Sequence, residues 1–166
     1  YALFCALELG RKQILLVSAT ATLAESWLGE IRRHLESNEK LLRVFGEQKR
    51  GVWRVNHLEL KNGVTIRARG AGSQIRGLRP DGIVVDDLES KEDVWSEEGR
   101  RNLKSWWDKE LIGTMNPHAQ LIIVGTILHP ESLLNHLLRK PPSGWVVRKY
   151  QALTERGESI WPSMWS

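Results

Sequence analysis

The chain has 166 residues, with 24 Lys plus Arg against 20 Asp plus Glu and a formal net charge of +4. Its 41% hydrophobic and 27% charged residues are typical of a folded globular domain rather than a disordered segment. The longest apolar runs, ILLV and LIIVG, are too short to span a bilayer, and a single cysteine excludes an intrachain disulfide framework.

The first part of the chain predicts a helix, a strand and a second helix. Residues 1–10 are apolar at helical spacing and end at a glycine, and residues 13–18, QILLVS, predict the first strand. Residues 22–37 predict an amphipathic helix, because apolar side chains recur along one stripe and Thr22 and Glu25 have the spacing of a capping box.

Residues 52–69 have a different pattern, with apolar and polar side chains in alternation. Asn62 and Gly63 interrupt this alternation, and such a pair between two alternating runs is a strong hairpin signal. We therefore predict an antiparallel β-hairpin excursion at one edge of the sheet.

Strands and helices then alternate along the chain. GIVVD at 82–86 and LIIVG at 121–125 predict central strands, and residues 96–111 predict the helix between them. Pro130 is expected to open a further helix, and WVVRKY at 145–150 predicts another strand.

The alternation predicts an α/β domain with a mostly parallel sheet and flanking helices over residues 1–150. Residues 151–166 show no periodicity and are expected to lead out of this domain as the start of a linker.

In such sheets ligands bind beyond the carboxyl ends of the strands, and Asp86, Asp87 and Thr126 all follow predicted strands. An apolar strand that ends in an acidic pair is the Walker B arrangement. There the first acid holds Mg²⁺, and the next polarises the water that attacks a phosphate. The alternative is that a carboxylate only caps the following turn.

Four arginines precede the acidic strand and could contact phosphates through their forked guanidinium groups. For Arg67 and Arg69 we favour a solvated hairpin or pairing with the acids, and for Arg76, in a glycine-flanked loop, a functional role. The remaining member of the group is Arg79.

A phosphate-binding P-loop is missing from the chain, since GxxxxGK[ST] occurs nowhere. Gly72 and Gly77 have P-loop spacing, but Leu78 and Arg79 follow them, so we interpret these glycines as loop hinges. The five histidines and Cys5 never fall at zinc-ligand spacing, and no GxSxG nucleophile motif is present.

Taken in order, four segments resemble the ATPase domain of the large terminase subunit, the DNA-packaging motor of tailed bacteriophages. They are ILLVSATATLAESWLGEIRRHLE, NGVTIRARGAGSQIRGLRPDGIVVDDLES, LIIVGTILHPESLL and SIWPSMWS, and the second is the most specific.

The resemblance implies a P-loop NTPase-like core and a role for each candidate residue. Asp86 would be the Mg²⁺-associated acid and Asp87 the catalytic carboxylate, with Glu89 as the alternative. Arg76 in the loop SQIRG would reach a neighbouring subunit's nucleotide as an arginine finger. Gly125 and Thr126 would sense the γ-phosphate and couple its loss to DNA movement.

The implied cofactors are ATP and Mg²⁺, and the implied activity is translocation of double-stranded viral DNA into a procapsid. Implied partners are the portal protein, the small terminase subunit and further copies in a ring, in the host cytoplasm, with no membrane. The chain would be a fragment that lacks the P-loop and the nuclease domain and is inactive alone.

Three alternatives stay open. A helicase-type translocase would need the SAT of residues 18–20 after the acidic strand rather than before it. A metal-dependent nuclease would use Asp86, Asp87 and Glu89 as a two-metal site. A non-catalytic DNA-binding module would use the arginines only to contact phosphates.

Overall fold

The computed structural model describes residues 1–154 and 156–164. Glu155, Trp165 and Ser166, which fall in the predicted linker, lie outside the described residues. The helices are α1 (Ala2–Leu7), α2 (Ala21–Ser37), α3 (Glu39–Phe45), α4 (Lys91–Trp95), α5 (Glu97–Trp106) and α6 (Leu133–Arg139), with a π-helical turn, Trp107–Ile112, after α5. The strands are β1 (Gln13–Ser18), β2 (Lys49–Arg54), β3 (His57–Leu60), β4 (Thr65–Gly70), β5 (Gly82–Asp86) and β6 (Gln120–Val124).

The six strands form one sheet in the order β2-β3-β4-β1-β5-β6. β5 is a central strand as predicted, but β6, which was also predicted to be central, lies at the edge and pairs with β5. The last four strands in this order pair in parallel, whereas β2 and β3 pair antiparallel, as do β3 and β4. The predicted α/β class, with a mostly parallel sheet and an antiparallel excursion, is therefore confirmed.

Two apolar clusters cover the two faces of the sheet. The first joins α1 and α2 to Leu16, Leu58 and Ile66, and the second joins α5, the π-helical turn and α6 to Leu15 and Val85. Because side chains alternate along a strand, β1 contributes to both clusters and reads as a continuous apolar run. β5 lies between β1 and β6, and this position places its carboxyl end at the middle of the parallel edge.

The hairpin around Asn62 and Gly63 forms as predicted. Gly63 has φ 83°, which glycine adopts without strain, and the Asn62 side-chain oxygen accepts the amide hydrogen of Val64. The run that starts at Val52 is two strands rather than one, because a second turn at Val55 and Asn56 separates β2 from β3.

The helices predicted over about 22–37 and after Pro130 both form, but the residues expected to begin them were wrong. α2 begins after Thr20, whose hydroxyl accepts the amide hydrogen of Leu23, so the capping box at Thr22 does not form. α6 begins after Ser132 rather than at Pro130, because the Ser132 hydroxyl accepts the amide hydrogen of Asn135. The predicted start of α5 at Ser96 is confirmed.

The predicted strand at 145–150 was also wrong. This segment has no regular structure and pairs with no strand in the part of the chain that is described; Val146 and Tyr150 are exposed. Only Trp145 is held, by an edge-to-face contact with Trp107 at a ring-centroid distance of 6.3 Å. A β-branched sequence without a neighbouring strand leaves its backbone groups to solvent, and local propensity does not compensate for that.

The last helix ends at Arg139, and beyond it the described residues contain an isolated bridge between Leu153 and Ser159. The division of the chain at residue 150 stays a prediction. None of the helices in the described part of the chain has the length and apolar character needed to cross a membrane.

Candidate functional site

The acidic pair lies at the carboxyl end of β5. Buried Ile83 and Val85 anchor this strand in the second apolar cluster, and Asp86 is its last residue. Asp86 is half-buried and Asp87 is exposed. The fold therefore places two adjacent carboxylates at the edge where parallel α/β sheets bind ligands.

Asp87 has an unusual backbone that ties three strands together. Its φ is 44°, in the left-handed region that aspartate tolerates better than most side chains. Its amide hydrogen is donated to the Val124 carbonyl at 3.1 Å, and its carbonyl accepts the Ala19 amide hydrogen at 3.0 Å. These bonds fix the Asp87 backbone to the end of β6 and to the loop after β1.

A cavity of about 300 Å³ opens at this edge, and Asp87 lines it together with Gly125 and Thr126. A Cβ atom at position 125 would lie 3.6 Å from Asp87 Oδ1, so the absence of a side chain at Gly125 leaves space next to this carboxylate. Glu89 and Lys91 also line the cavity, whereas Asp86 lies beside it. The structure thus brings together Asp87, Gly125 and Thr126 as the strand-end rule predicts.

Burial, and then the charge of Asp87, raise the pKa of Asp86 above its ordinary value of 3.8. Two adjacent carboxylates with this electrostatic cost favour a cation between or beside them. Mg²⁺ commonly takes one or two protein carboxylates and completes its octahedral shell with water and phosphate oxygens. The acidic pair fits a Mg²⁺–nucleotide, and it offers too few carboxylates for a two-metal site.

The raised pKa of Asp86 gives a testable stability effect. The folded protein binds this proton more tightly than the unfolded chain, so ionisation of Asp86 lowers stability as the pH rises above 3.8. We expect Asp86→Asn to raise stability at pH 7 by on the order of 0.5 kcal/mol, since solvent screens this half-exposed group. For a chain of this size that raises the unfolding midpoint by about 1–2 °C.

Thermal unfolding of both proteins at pH 7 and pH 3 checks this effect. The difference between them should disappear at pH 3, where Asp86 is protonated in the folded and the unfolded states alike. A variant that is less stable than the parent at pH 7 would show that the Asp86 carboxylate stabilises the fold.

Glu89 is placed to hold α6 rather than to project freely into the cavity. Its two carboxylate oxygens accept the amide hydrogens of Leu133 and Leu134, at 2.7 and 3.1 Å. These are the first amides of α6, which have no partner within the helix. The contact spans 44 residues of sequence and joins the acidic loop to α6.

Arg76 forms an ion pair with Glu110 of the π-helical turn, and not with either aspartate of the acidic pair. Its Nε lies 2.8 and 3.0 Å from the two Glu110 carboxylate oxygens. This hydrogen-bonded carboxylate, and then its charge, raise the pKa of Arg76 above its already high usual value. The Arg76 side chain is 71% exposed, so a second molecule could still reach it.

The glycines at P-loop spacing flank a surface loop. Gly72 and Gly77 have φ of 76° and 85°, and Ile75 between them is buried in the second apolar cluster. The Trp106 indole also donates a hydrogen bond to the Ser73 carbonyl at 2.8 Å, so α5 holds this loop. The positive φ of both glycines shows that they form turns at the ends of this loop, and their role as hinges stays a prediction.

Arg67 and Arg69 lie on β4, not against the acidic pair. Arg67 donates to the Gln13 side-chain oxygen at 3.3 Å and Arg69 to the Ala68 carbonyl at 2.7 Å. Neither forms an ion pair with a carboxylate among the described residues, so of our two alternatives for these arginines, pairing with the acids was wrong and the solvated hairpin remains.

Two residues near the predicted site were missed by sequence reasoning. Lys91 lines the cavity and adds a positive charge close to Asp87; its place two residues after Glu89 was a usable signal. Glu110 is the partner of Arg76, and a separation of 34 residues leaves no local pattern that could reveal it.

Among the described residues, no three or more His, Cys, Asp or Glu side chains are grouped so that they could hold a metal ion. No protein-family model and no curated protein matches the chain.

Proposed function

We propose that the chain is part of an ATP-hydrolysing motor of the terminase type, which moves double-stranded viral DNA into a procapsid. One observation carries the proposal: the Asp87 carboxylate, Gly125 and Thr126 meet at one cavity beyond β5 and β6, with Asp86 beside it. This is the edge where a nucleotide binds in parallel α/β sheets.

Each residue at this edge has a role in the proposal. Asp86 holds Mg²⁺, which when bound would neutralise phosphate charge. Asp87 orients the attacking water and accepts its proton, a task suited to an exposed carboxylate on a fixed backbone. Gly125 leaves room beside Asp87, Thr126 offers a hydroxyl to the terminal phosphate, and Lys91 adds a positive charge at the cavity wall.

The resemblance supplies the partners in this proposal: the portal protein, the small terminase subunit and further copies of the chain in a ring, in the bacterial host cytoplasm. Arg76 would exchange Glu110 for the nucleotide of the next subunit, and its exposure allows this exchange. Arginine is suited to the task because its fork matches phosphate oxygens.

The nuclease alternative has less support. A two-metal site requires several carboxylates that are free to bind metal. The Glu89 oxygens both accept amide hydrogens from α6, which leaves Asp86 and Asp87 as the available acids at this edge.

The proposal is tested first on the reading frame upstream of Tyr1, where a GxxxxGK[ST] pattern within a few tens of residues is expected. In the complete gene product, Asp87→Asn should then lower steady-state ATP turnover by about 100-fold or more, a typical effect of losing a catalytic proton acceptor. The dissociation constant of a fluorescent ATP analogue should change little, because Asp86 remains.

Asp108→Asn is the matched control, since it removes the charge of an exposed aspartate outside this cavity. It should leave turnover unchanged. A complete gene product without a P-loop that neither binds nor hydrolyses ATP would overturn the motor, and undiminished turnover in Asp87→Asn would move the catalytic role to Glu89.

A further inference from the structure

One face of β2, β3 and β4 carries a group of positive charges that the ATP site does not use. On the other face, Leu58, Ile66 and Ala68 are buried in the first apolar cluster. Because side chains alternate along a strand, the residues next to these in each strand point to the opposite face. The cationic face consists of Arg54, Arg67 and Arg69, with the imidazole of His57 between them.

The sheet register holds these charges side by side. His57 pairs with Arg54 of β2 and with Arg67 of β4, so the guanidinium groups of two strands flank an imidazole in one row. Strands lie 4.7–4.9 Å apart, so the row is about 10 Å long. Arg69 extends the cationic face by two residues along β4, beside Val17 of β1.

The negative charge on this face is small. Glu59 is the acid that the register places there, and one of its carboxylate oxygens accepts the amide hydrogen of Val52 at 3.2 Å. Its other oxygen lies 3.6 Å from His57 Nε2, beyond hydrogen-bond distance. Three guanidinium groups therefore face one carboxylate, which is already engaged by the backbone.

The concentration of positive charge on this face contributes to a lowered pKa of two of its side chains. Burial, and then the charge of Arg69, lower the pKa of Arg67. Burial, and then the charge of Arg67, lower the pKa of His57, and its Nε2 atom is buried without a hydrogen-bond partner. A bound anion would relieve the repulsion between the guanidinium groups.

We propose that the cationic face binds the sugar–phosphate backbone of duplex DNA. A row of about 10 Å faces about three successive phosphates of one strand, which advance 3.4 Å each. The side chains of this face include no Phe, Tyr or Trp, since Trp53 points to the other face, where its indole donates to Glu36. Single-stranded nucleic acid is usually held by stacking its bases on such rings, so the backbone of a duplex fits better.

This inference depends on the proposed function only for the choice of DNA as the polyanion. Its test contains no nucleotide, so the result does not depend on ATP binding. Fluorescence anisotropy of a labelled 20-base-pair duplex, titrated with the complete chain at several NaCl concentrations, gives affinity and salt dependence. Arg67→Gln with Arg69→Gln should weaken binding about tenfold or more near 0.1 M NaCl. It should also reduce the slope of log K against log salt by about 2.

Two further double variants make the result specific. Lys40→Gln with Arg43→Gln removes the same charge from exposed positions of α3 and should leave affinity and slope near those of the parent. Arg67→Lys with Arg69→Lys keeps the charge and should retain most of the binding. Circular dichroism confirms that each variant is folded.

Three outcomes would overturn the proposal. The first is a glutamine variant that binds as tightly as the parent. The second is an α3 control that loses as much affinity, which would reduce the effect to net charge. The third is a duplex RNA of the same sequence that binds more tightly than DNA, which would assign the cationic face to RNA. Each outcome leaves the ATP site untouched, because no nucleotide enters the assay.

Discussion

Gly70→Ala should lower the free energy of unfolding by about 3 kcal/mol, the upper range for forcing an extra methyl group into a packed site. Gly70 ends β4, where the chain passes the first turn of α2. A Cβ atom at this position would lie 2.5 Å from the Ala21 backbone nitrogen and 2.9 Å from the Thr20 carbonyl carbon. Backbone atoms cannot move aside by a rotamer change, so β4 and α2 must separate.

The measurement is chemical or thermal unfolding, and the unfolding midpoint should fall by about 6–12 °C. Gly29→Ala is the matched control, because Gly29 lies inside α2 and its Cβ would meet nothing within 4 Å. That variant should have a free energy of unfolding about 0.5–1 kcal/mol higher, because alanine loses less conformational entropy on folding than glycine and has a higher helix propensity. Equal effects of the two substitutions would contradict the close approach of β4 to α2.

The fold was predictable where one strong local pattern decided the structure. β1 and β5 are short apolar runs that lie between neighbouring strands, β6 is an apolar run that pairs with β5, and the Asn62 and Gly63 pair specifies its turn by backbone preference. The segment 145–150 has an equally strand-like composition. It failed because a strand also needs a neighbour, and sequence composition does not show whether one is present.

Helix boundaries failed for a different reason. Thr20 and Thr22 are two possible caps for α2, and Pro130 and Ser132 are two possible starts for α6, so the choice depends on where the preceding strand releases the chain. β1 ends at Ser18, which leaves Thr20 rather than Thr22 in position to accept the amide hydrogen of Leu23. Short helices such as α3 and α4 bury too few side chains to give a periodic signal.

The candidate site was predictable to the same extent. Parallel strands end at one edge, so the proximity of Asp87 to Gly125 and Thr126 follows from topology. The partners of Arg76 and Glu89 do not follow from topology. Arg76 pairs with Glu110 across 34 residues of sequence, and Glu89 accepts the amide hydrogen of Leu133 across 44. Sequence identified the charged groups, and the fold decided which of them remain available to a ligand.

Glu89→Ala should lower the free energy of unfolding by about 2 kcal/mol, within the range for hydrogen bonds to a charged group. The substitution leaves the amides of Leu133 and Leu134 without their acceptors and removes a negative charge from the positive end of α6. The unfolding midpoint should fall by about 4–8 °C. Glu89→Gln keeps one side-chain oxygen as an acceptor and should lose about half as much.

Glu92→Ala is the control, because Glu92 is an exposed glutamate three residues further along, and surface changes of this kind stay within about 0.5 kcal/mol. The comparison also separates two roles for Glu89. If Glu89 acts as a helix cap, the protein should lose stability in proportion to the carboxylate oxygens that a substitution removes. Glu89→Gln should then retain ATP turnover in the complete gene product. If Glu89 acts as the general base, Glu89→Gln should lose ATP turnover while its stability stays nearly unchanged. The proposed catalytic role would then pass from Asp87 to Glu89.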